Sequence, residues 1–147
     1  MDNQLEPVHV TLVKYDAGLG APGIMPPQLS SSTEISVTPT GGRVVQQSFQ
    51  DNQPQSKQER ALGDAGVQRV VALVSELTEL PAKQLPGGSD VYGANTVVLV
   101  RRGQVPVWGY NPGGGCAADT EPELSVTSAH KTEFARILSE LYEASRD

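Results

Sequence analysis

The side chains that could carry out covalent catalysis are few in this sequence, and they centre on its single cysteine. Cys116 is followed by Asp119, and His130 lies near the start of a predicted helix. A thiol becomes a nucleophile when a neighbouring base or a helix N-terminus lowers its pKa. A thiol-dependent enzyme that uses Cys116 as a reactive thiol is therefore one hypothesis. A small, inert loop cysteine is the simpler interpretation, and with it we predict no catalytic residues.

Two glycine-rich segments resemble nucleotide-binding loops in composition. Gly18-Leu19-Gly20-Ala21-Pro22-Gly23 matches the G-x-G-x-x-G pattern and follows a predicted strand. A dinucleotide site needs a helix directly after the last glycine, because the helix N-terminus holds the pyrophosphate. Pro26-Pro27 stands there instead, and Gly113-Gly114-Gly115 precedes acidic residues rather than the Gly-Lys pair of a phosphate-binding loop. We therefore expect no nucleotide and no other cofactor.

Charge and spacing also exclude other classes of ligand. The net charge is −6 and the 11 basic residues are scattered, whereas nucleic acid and anionic membranes require a basic face. His9 and His130 show no H-x-x-x-H spacing and no C-x-x-C pair accompanies them, so no metal site is predicted. No apolar run is long enough to span a membrane. Another protein is the expected partner, and the oligomeric state stays open.

A pair of aromatic residues is the best candidate for a contact surface on a regular element. Trp108 and Tyr110 share one face of a predicted strand, and Val105 and Val107 share the other. If the valines face the core, both rings point to solvent, where aromatic side chains are typical of interfaces. The alternative is that the rings cover the sheet, as a lone tryptophan in a small domain commonly does. We predict Trp108 and Tyr110 as partner-binding residues, together with Gly18, Leu19 and Gly20 of the first loop.

The spacing of apolar residues predicts an α+β domain with short strands. Alternation at Val8–Val13 indicates a half-buried strand, and alternation at 34–38 and 43–49 around Pro39-Thr40-Gly41-Gly42 indicates a β-hairpin. The apolar run 96–100 is typical of a central strand. Residues 105–110 form its partner, at an edge or a bulge because of Pro106. We expect an antiparallel sheet of about four or five strands.

Two amphipathic helices complete this layout and are expected on one face of the sheet. After Asp64, which could cap the first helix, apolar residues from Val67 to Leu77 recur at helical spacing. A valine-rich strand is the competing interpretation. Thr127 or Ser128 caps the last helix, which has a clear apolar stripe. Residues 1–147 are predicted to form one domain in which 51–61 and 111–124 are mobile loops.

The order of these elements resembles the emfourin-type inhibitors of thermolysin-like metallopeptidases, a group of small bacterial domains. The resemblance rests on VTLVKY and GLGAPGI at 10–15 and 18–24, the Gly41-Gly42 turn, the segment ALGDAGVQRVVALVSELTELPA, a hairpin and a terminal helix. It implies peptidase inhibition, with the first loop as a contact. The family usually has adjacent glycines after the first strand, whereas Leu19 separates Gly18 from Gly20, so no inhibitory residue is carried across.

Taken together, these features predict a non-catalytic protein-binding domain, with peptidase inhibition as its specific form. The thiol-dependent enzyme and a structural or assembly component are the alternatives. The first seven residues lack the basic and apolar regions of a signal peptide, and a single cysteine suits a reducing compartment. A soluble cytoplasmic protein is expected, with a trimmed secreted form as the alternative.

Overall fold

The structure, a computed structural model, describes residues 7–17, 28–83, 91–112 and 125–146. These residues form an antiparallel sheet and two helices, which confirms the α+β class. In chain order the elements are β1 (Val8–Ala17), β2 (Gln28–Thr38), β3 (Gly41–Gln50), β4 (Gln53–Leu62), α1 (Asp64–Leu77), β5 (Thr96–Arg102), β6 (Val105–Tyr110) and α2 (Ser128–Ala144).

The sheet has six strands in the order β4-β3-β2-β1-β5-β6, against the four or five expected. β1 to β4 form a meander in which each strand pairs with the next. β5 then returns to the free side of β1, and β6 pairs with β5 at the far edge. The predicted hairpin of 34–38 and 43–49 is confirmed as part of β2 and β3.

The prediction of a mobile loop at 51–61 is wrong, because β4 occupies most of this segment. Asp51 and Asn52 form the turn from β3, with φ of 52° and 61°, a left-handed conformation that Asp and Asn tolerate. Among the described strands β4 pairs only with β3, and most of its side chains are exposed. An edge strand with polar residues on both faces shows no apolar alternation, so its pattern resembles that of a loop.

Strand alternation builds one hydrophobic core against the helices. Every second residue of β1 from Val8 to Leu12 is buried, while the alternate residues His9, Thr11 and Val13 are only half-buried. The core joins the buried positions of the strands to the apolar stripes of both helices. The helix residues in it are Val70, Leu73, Val74, Leu77, Phe134, Ile137, Leu138, Leu141 and Ala144.

Both helices form where predicted, but their first residues differ in detail. The valine-rich stripe is helical, and Gly63 rather than Asp64 is the N-cap of α1, so Asp64 lies in the first turn. Thr127 caps α2: its hydroxyl accepts a hydrogen bond from the His130 N–H, and its own N–H donates to His130 Nδ1, both at 3.1 Å. Neither described helix is long and apolar enough to cross a membrane.

β5 and β6 also follow the prediction. β5 lies between β1 and β6, and its residues Thr96–Val98 are buried. β6 is an edge strand whose register shifts where Arg101 pairs with Pro106. Its outer side is partly covered, because Lys83 N–H donates to the Gly109 carbonyl at 2.7 Å and Asn111 N–H donates to the Lys83 carbonyl at 3.0 Å.

Candidate functional site

Several of the predicted site residues lie outside the part of the chain that the structure describes. Gly18, Leu19 and Gly20 of the first loop are among them, and so is Cys116. Residues 113–124 of the predicted loop at 111–124 also fall outside it. The contact role of the first loop and the reactivity of the thiol therefore stay predictions.

The predicted orientation of Trp108 and Tyr110 is wrong, because both rings are buried. Their exposed fractions are 3% and 1%, whereas Val105 and Val107 are 61% and 38% exposed. Trp108 pairs with Val100 of β5 and Tyr110 pairs with Val98, both core positions. The larger rings gain more from burial than valines would. In this orientation both rings stabilise the core, and neither is exposed to a partner.

Hydrogen bonds fix both rings in the core. Trp108 Nε1 donates to the Leu80 carbonyl at 2.9 Å, and the Tyr110 hydroxyl accepts from the Tyr92 N–H at 2.9 Å. The polar atom of each aromatic side chain is therefore satisfied without water, as burial requires. The strand thus contributes stability at the place where a partner contact was expected.

The two histidines have structural hydrogen bonds within the described chain. His9 Nδ1 lies 3.0 Å from Ser36 Oγ across β1 and β2. His130 Nδ1 accepts a hydrogen bond from the Thr127 N–H in the α2 cap. Nε2 is then the ring nitrogen that has no role in the cap. Within the described ranges, no three His, Cys, Asp or Glu side chains are placed to hold a metal ion.

A polar groove of about 580 Å³ is one concave feature of the described chain. It lies where the buried face of the sheet continues past the core and meets one side of α2. Its volume falls in the range of known ligand sites, roughly 300–1,000 Å³, but its lining is far more polar than usual. The lining residues are Lys14, Ser31, Ser32, Thr33, Gln46, Gln47, Ser48, Ser56, Gln58, Ser139, Tyr142, Glu143 and Arg146.

Strand pairing creates the floor of this groove as two rows of polar side chains. In the first row Ser31 pairs with Lys14 on one side and with Ser48 on the other, and Ser48 pairs with Ser56. The second row runs from Thr33 through Gln46 to Gln58. Since side chains at every second position share a face, these rows extend the face that carries Val10 and Leu12.

One side of α2 forms the wall of the groove. Tyr142 and Glu143 follow Ser139 by three and four positions, so they lie on its side of the helix, and Arg146, seven positions on, continues that side just after α2 ends. The core-facing stripe of α2 is a different one and includes Leu138 and Leu141. The helix therefore packs into the core with one side and borders the groove with the adjacent side.

Arg60 of β4 links the wall of the groove to its floor through two hydrogen bonds. Its Nε donates to the Ser145 carbonyl at the C-terminal end of α2 at 2.8 Å, and its NH2 group donates to Gln46 Oε1 at 2.7 Å. The first bond satisfies a carbonyl that the helix itself leaves free, and a positive charge there is favoured by the helix dipole. The guanidinium thus connects two strands and a helix beside the groove.

Tyr142 has an unusual environment in the wall. Its hydroxyl is buried and forms no hydrogen bond with any described residue. Burial is the main cause that raises the pKa of Tyr142. The neighbouring Thr96 hydroxyl donates to the Ala94 carbonyl at 2.9 Å instead of to this phenol. A buried hydroxyl without a partner costs roughly 1–3 kcal/mol. The Tyr142 hydroxyl is therefore a buried polar group of the wall that forms no hydrogen bond with the described chain.

The sequence contained a signal for this groove. Lys14 continues the alternation of Val8, Val10 and Leu12, so it shares their face although it is charged. The polar run Ser30–Thr33 and the polar segment after residue 45 repeat the same change on the next two strands. This signal does not by itself predict a groove, because the side chains that complete the floor belong to β4, whose polar sequence resembles a loop.

No protein-family model matches this chain, and no curated protein or solved structure matches it either.

Proposed function

We propose that this chain is a non-catalytic binding domain whose partner is another protein, and that an extended segment of that partner occupies the polar groove. The observation that carries the proposal is the groove itself, with rows of short hydroxyl and amide side chains across β1 to β4. An extended polypeptide presents a backbone donor or acceptor at every residue. Side chains that both donate and accept, such as Ser, Thr and Gln, suit such a ligand.

The arrangement of the helices supports this proposal. One core contains the stripes of α1 and α2 together with alternate residues of the central strands, as expected if both helices cover the same face of the sheet. On this view the groove is the part of that face that the helices leave uncovered. A polar surface at that place needs a reason, since the same strands are apolar one or two pairs away.

Two neighbouring residues of β4 provide a matched test. Ser56 lines the groove, and Lys57 lies on the opposite face of the same strand. Proteins captured from the native host by the wild-type chain should be lost by Ser56→Trp, because the indole fills the groove, and retained by Lys57→Trp. Circular dichroism and the urea midpoint establish that both variants fold. Retention of every captured protein by a folded Ser56→Trp variant would reject the groove as the binding site.

Peptidase inhibition is the specific form of this function that the emfourin-type resemblance implies. It is tested by adding an excess of the chain to thermolysin-like and serine peptidases and measuring peptide hydrolysis. If the Ser56→Trp variant no longer inhibits, the groove is the site of inhibition. Inhibition that survives in Ser56→Trp would instead favour the first loop with Gly18, Leu19 and Gly20. Unchanged rates over the whole panel would reject inhibition and leave protein binding standing.

The two alternatives make different predictions for the whole chain. A thiol-dependent enzyme would lose its activity when iodoacetamide alkylates Cys116, whereas partner binding through the groove would not change. A structural or assembly component would form a stable oligomer, which light scattering after size exclusion detects. The cytoplasmic location expected from the sequence stays a prediction, and fractionation of the native host would test it.

A further inference from the structure

The charge of the polar groove is opposite to that of the chain. The chain has 17 acidic and 11 basic residues, a net charge of −6. Two cations, Lys14 and Arg146, line the groove, and neither forms an ion pair with any described residue. An unpaired cation beside neutral polar groups favours an anionic ligand, because the ligand then supplies the missing counter-charge.

Among the described residues that line the groove, the one acidic residue is already neutralised. Glu143 forms an ion pair with Arg69 of α1, with Arg69 NH2 and Glu143 Oε1 at 3.0 Å, and the same guanidinium lies 3.7 Å from Glu140. Arg69 does not line the groove. The carboxylate is therefore compensated from the α1 side, and it opposes an incoming anion less than a free carboxylate would.

The neutral side chains also favour an acceptor as ligand. Gln46 Oε1 is occupied by Arg60 at 2.7 Å, so the amide of Gln46 is oriented and its NH2 group is left to donate. Ser48 Oγ and Ser56 Oγ lie 2.7 Å apart, and their mutual bond uses one of two hydroxyl hydrogens. The other hydrogen is a second donor. Carboxylate oxygens accept such bonds and donate none.

We infer that the groove selects a negatively charged segment of the partner, whose carboxylates contact Lys14 and Arg146. This inference rests on the proposed function and specifies the chemistry of the partner. Lys14 belongs to β1, whereas Arg146 follows α2, so the two cations come from the floor and from the wall. An extended acidic segment that lies along the groove can meet both. A neutral or basic segment leaves both cations without a counter-charge.

The test uses the full chain and three fluorescein-labelled peptides. The first alternates Glu and Ser, the second replaces each Glu by Gln, and the third replaces each Glu by Lys. Fluorescence anisotropy should give the tightest binding for the Glu peptide and the weakest for the Lys peptide. The affinity of the Glu peptide should fall as salt is added, because the groove is open to solvent. Charges there are screened over about 8 Å at physiological ionic strength.

A pair of double variants with equal charge supplies the control. Lys14→Gln with Arg146→Gln removes both groove cations and should weaken the Glu peptide about tenfold, because one exposed ion pair contributes up to about fivefold. Arg101→Gln with Arg102→Gln removes two exposed cations that do not line the groove. This second variant should bind the Glu peptide as the wild-type chain does.

Three results would overturn the inference. The Gln peptide could bind as tightly as the Glu peptide, or the Arg101 and Arg102 double variant could weaken binding as much as the groove double variant. Inorganic phosphate could also displace the Glu peptide completely at a comparable concentration, which would indicate a simple anion site. If any of these occurred while Ser56→Trp still abolished partner capture, the acidic specificity would be rejected and the proposed function retained. Undiminished capture by Ser56→Trp would instead reject the proposed function.

Discussion

Aromatic rings from β6, from α2 and from the segment before β5 contact one another in the core. The Tyr92 ring stacks on Phe134 of α2 with centroids 4.1 Å apart, and it meets Tyr110 edge-on at 4.7 Å. The Tyr92 hydroxyl donates to the Pro81 carbonyl at 2.7 Å. Trp108 lies against the same Phe134, with centroids 6.3 Å apart. This cluster connects β6, α2 and the segment before β5.

Burial raises the pKa of Tyr92 to about 12. The neutral phenol is favoured in the folded chain, whereas an unfolded tyrosine ionises near pH 10. The stabilising contribution of Tyr92 is therefore complete below about pH 10 and is lost as the pH rises towards 12. Absorbance at 295 nm should show a late tyrosine transition whose amplitude falls by one tyrosine in Tyr92→Phe, since burial also raises the pKa of Tyr142. The urea midpoint of the wild-type chain should fall more above pH 10 than that of Tyr92→Phe; an equal fall in both would contradict this prediction.

Removal of the tryptophan ring should cost far more than trimming its neighbour. Trp108→Ala leaves a large cavity and a free Leu80 carbonyl, so we expect a loss of about 3–5 kcal/mol in the free energy of unfolding. Val107→Ala on the exposed side of β6 should change it by less than about 1 kcal/mol. Urea denaturation measures both, and Trp108→Phe serves if Trp108→Ala does not fold. Equal effects at the two positions would contradict the observed orientation of β6.

The orientation of this strand could not be predicted from alternation alone. Trp108 and Tyr110 occupy one face of β6, and Val105 and Val107 are apolar too, so either face could have been the buried one. The choice depends on the pairing of Trp108 with Val100, and on the register shift opposite Pro106. Neither is a local property of the strand. The core positions of β1 were predictable because polar residues alternate with them, so only one face of the strand is apolar.

At the scale of elements, the α2 cap resolves an ambiguity in the sequence. Thr127 and Ser128 were both possible caps, and the hydrogen bond to the His130 N–H belongs to Thr127. Thr127→Ala should therefore lower the free energy of unfolding by about 1 kcal/mol, because an N–H of the first turn loses its acceptor. Ser128→Ala should have an effect of less than about 0.5 kcal/mol. Thermal or urea unfolding compares the two, and the reverse order would contradict this cap.

Both helices and most strands could be predicted because their patterns are local. The stripe from Val70 to Leu77 and the run at 96–100 follow directly from residue spacing. β4 could not be found in the same way, since most of its side chains are polar and exposed and show no apolar alternation. Its presence follows from hydrogen bonding to β3 and from the left-handed turn at Asp51 and Asn52. This turn joins β3 to β4, and residue spacing alone does not reveal it.

At the scale of the whole molecule, the groove depends on contacts distant in sequence. The position of β5 beside β1 cannot be inferred from turns, because α1 and a long connection separate β5 from the meander. The floor needs β4 beside β3, and the wall needs the end of α2 beside both strands. Lys14 was visible in the sequence as an interruption of an apolar face. Its neighbours in the groove were not, since they come from four separate elements.

Arg60 should control both the stability of the chain and the shape of this groove. Its side chain holds the Ser145 carbonyl and Gln46 Oε1 together but does not itself line the groove. Arg60→Met keeps much of the aliphatic stem and removes both charge-assisted hydrogen bonds. We expect a loss of about 2 kcal/mol in the free energy of unfolding, measured with urea. Arg43→Met, which removes an exposed ion pair with Glu59, should cost less than about 1 kcal/mol.

The same variants distinguish an effect of Arg60 on the position of α2 beside the groove from an effect on the stability of the chain alone. With the end of α2 released, Arg60→Met should bind the Glu peptide more weakly than the wild-type chain at a temperature where both are fully folded. Arg43→Met should keep wild-type affinity, although it also loses one positive charge. Arg60→Lys restores the charge but not the two-pronged geometry, so its affinity should stay below that of the wild-type chain. Wild-type affinity in a folded Arg60→Met variant would mean that the wall of the groove holds its position without this contact.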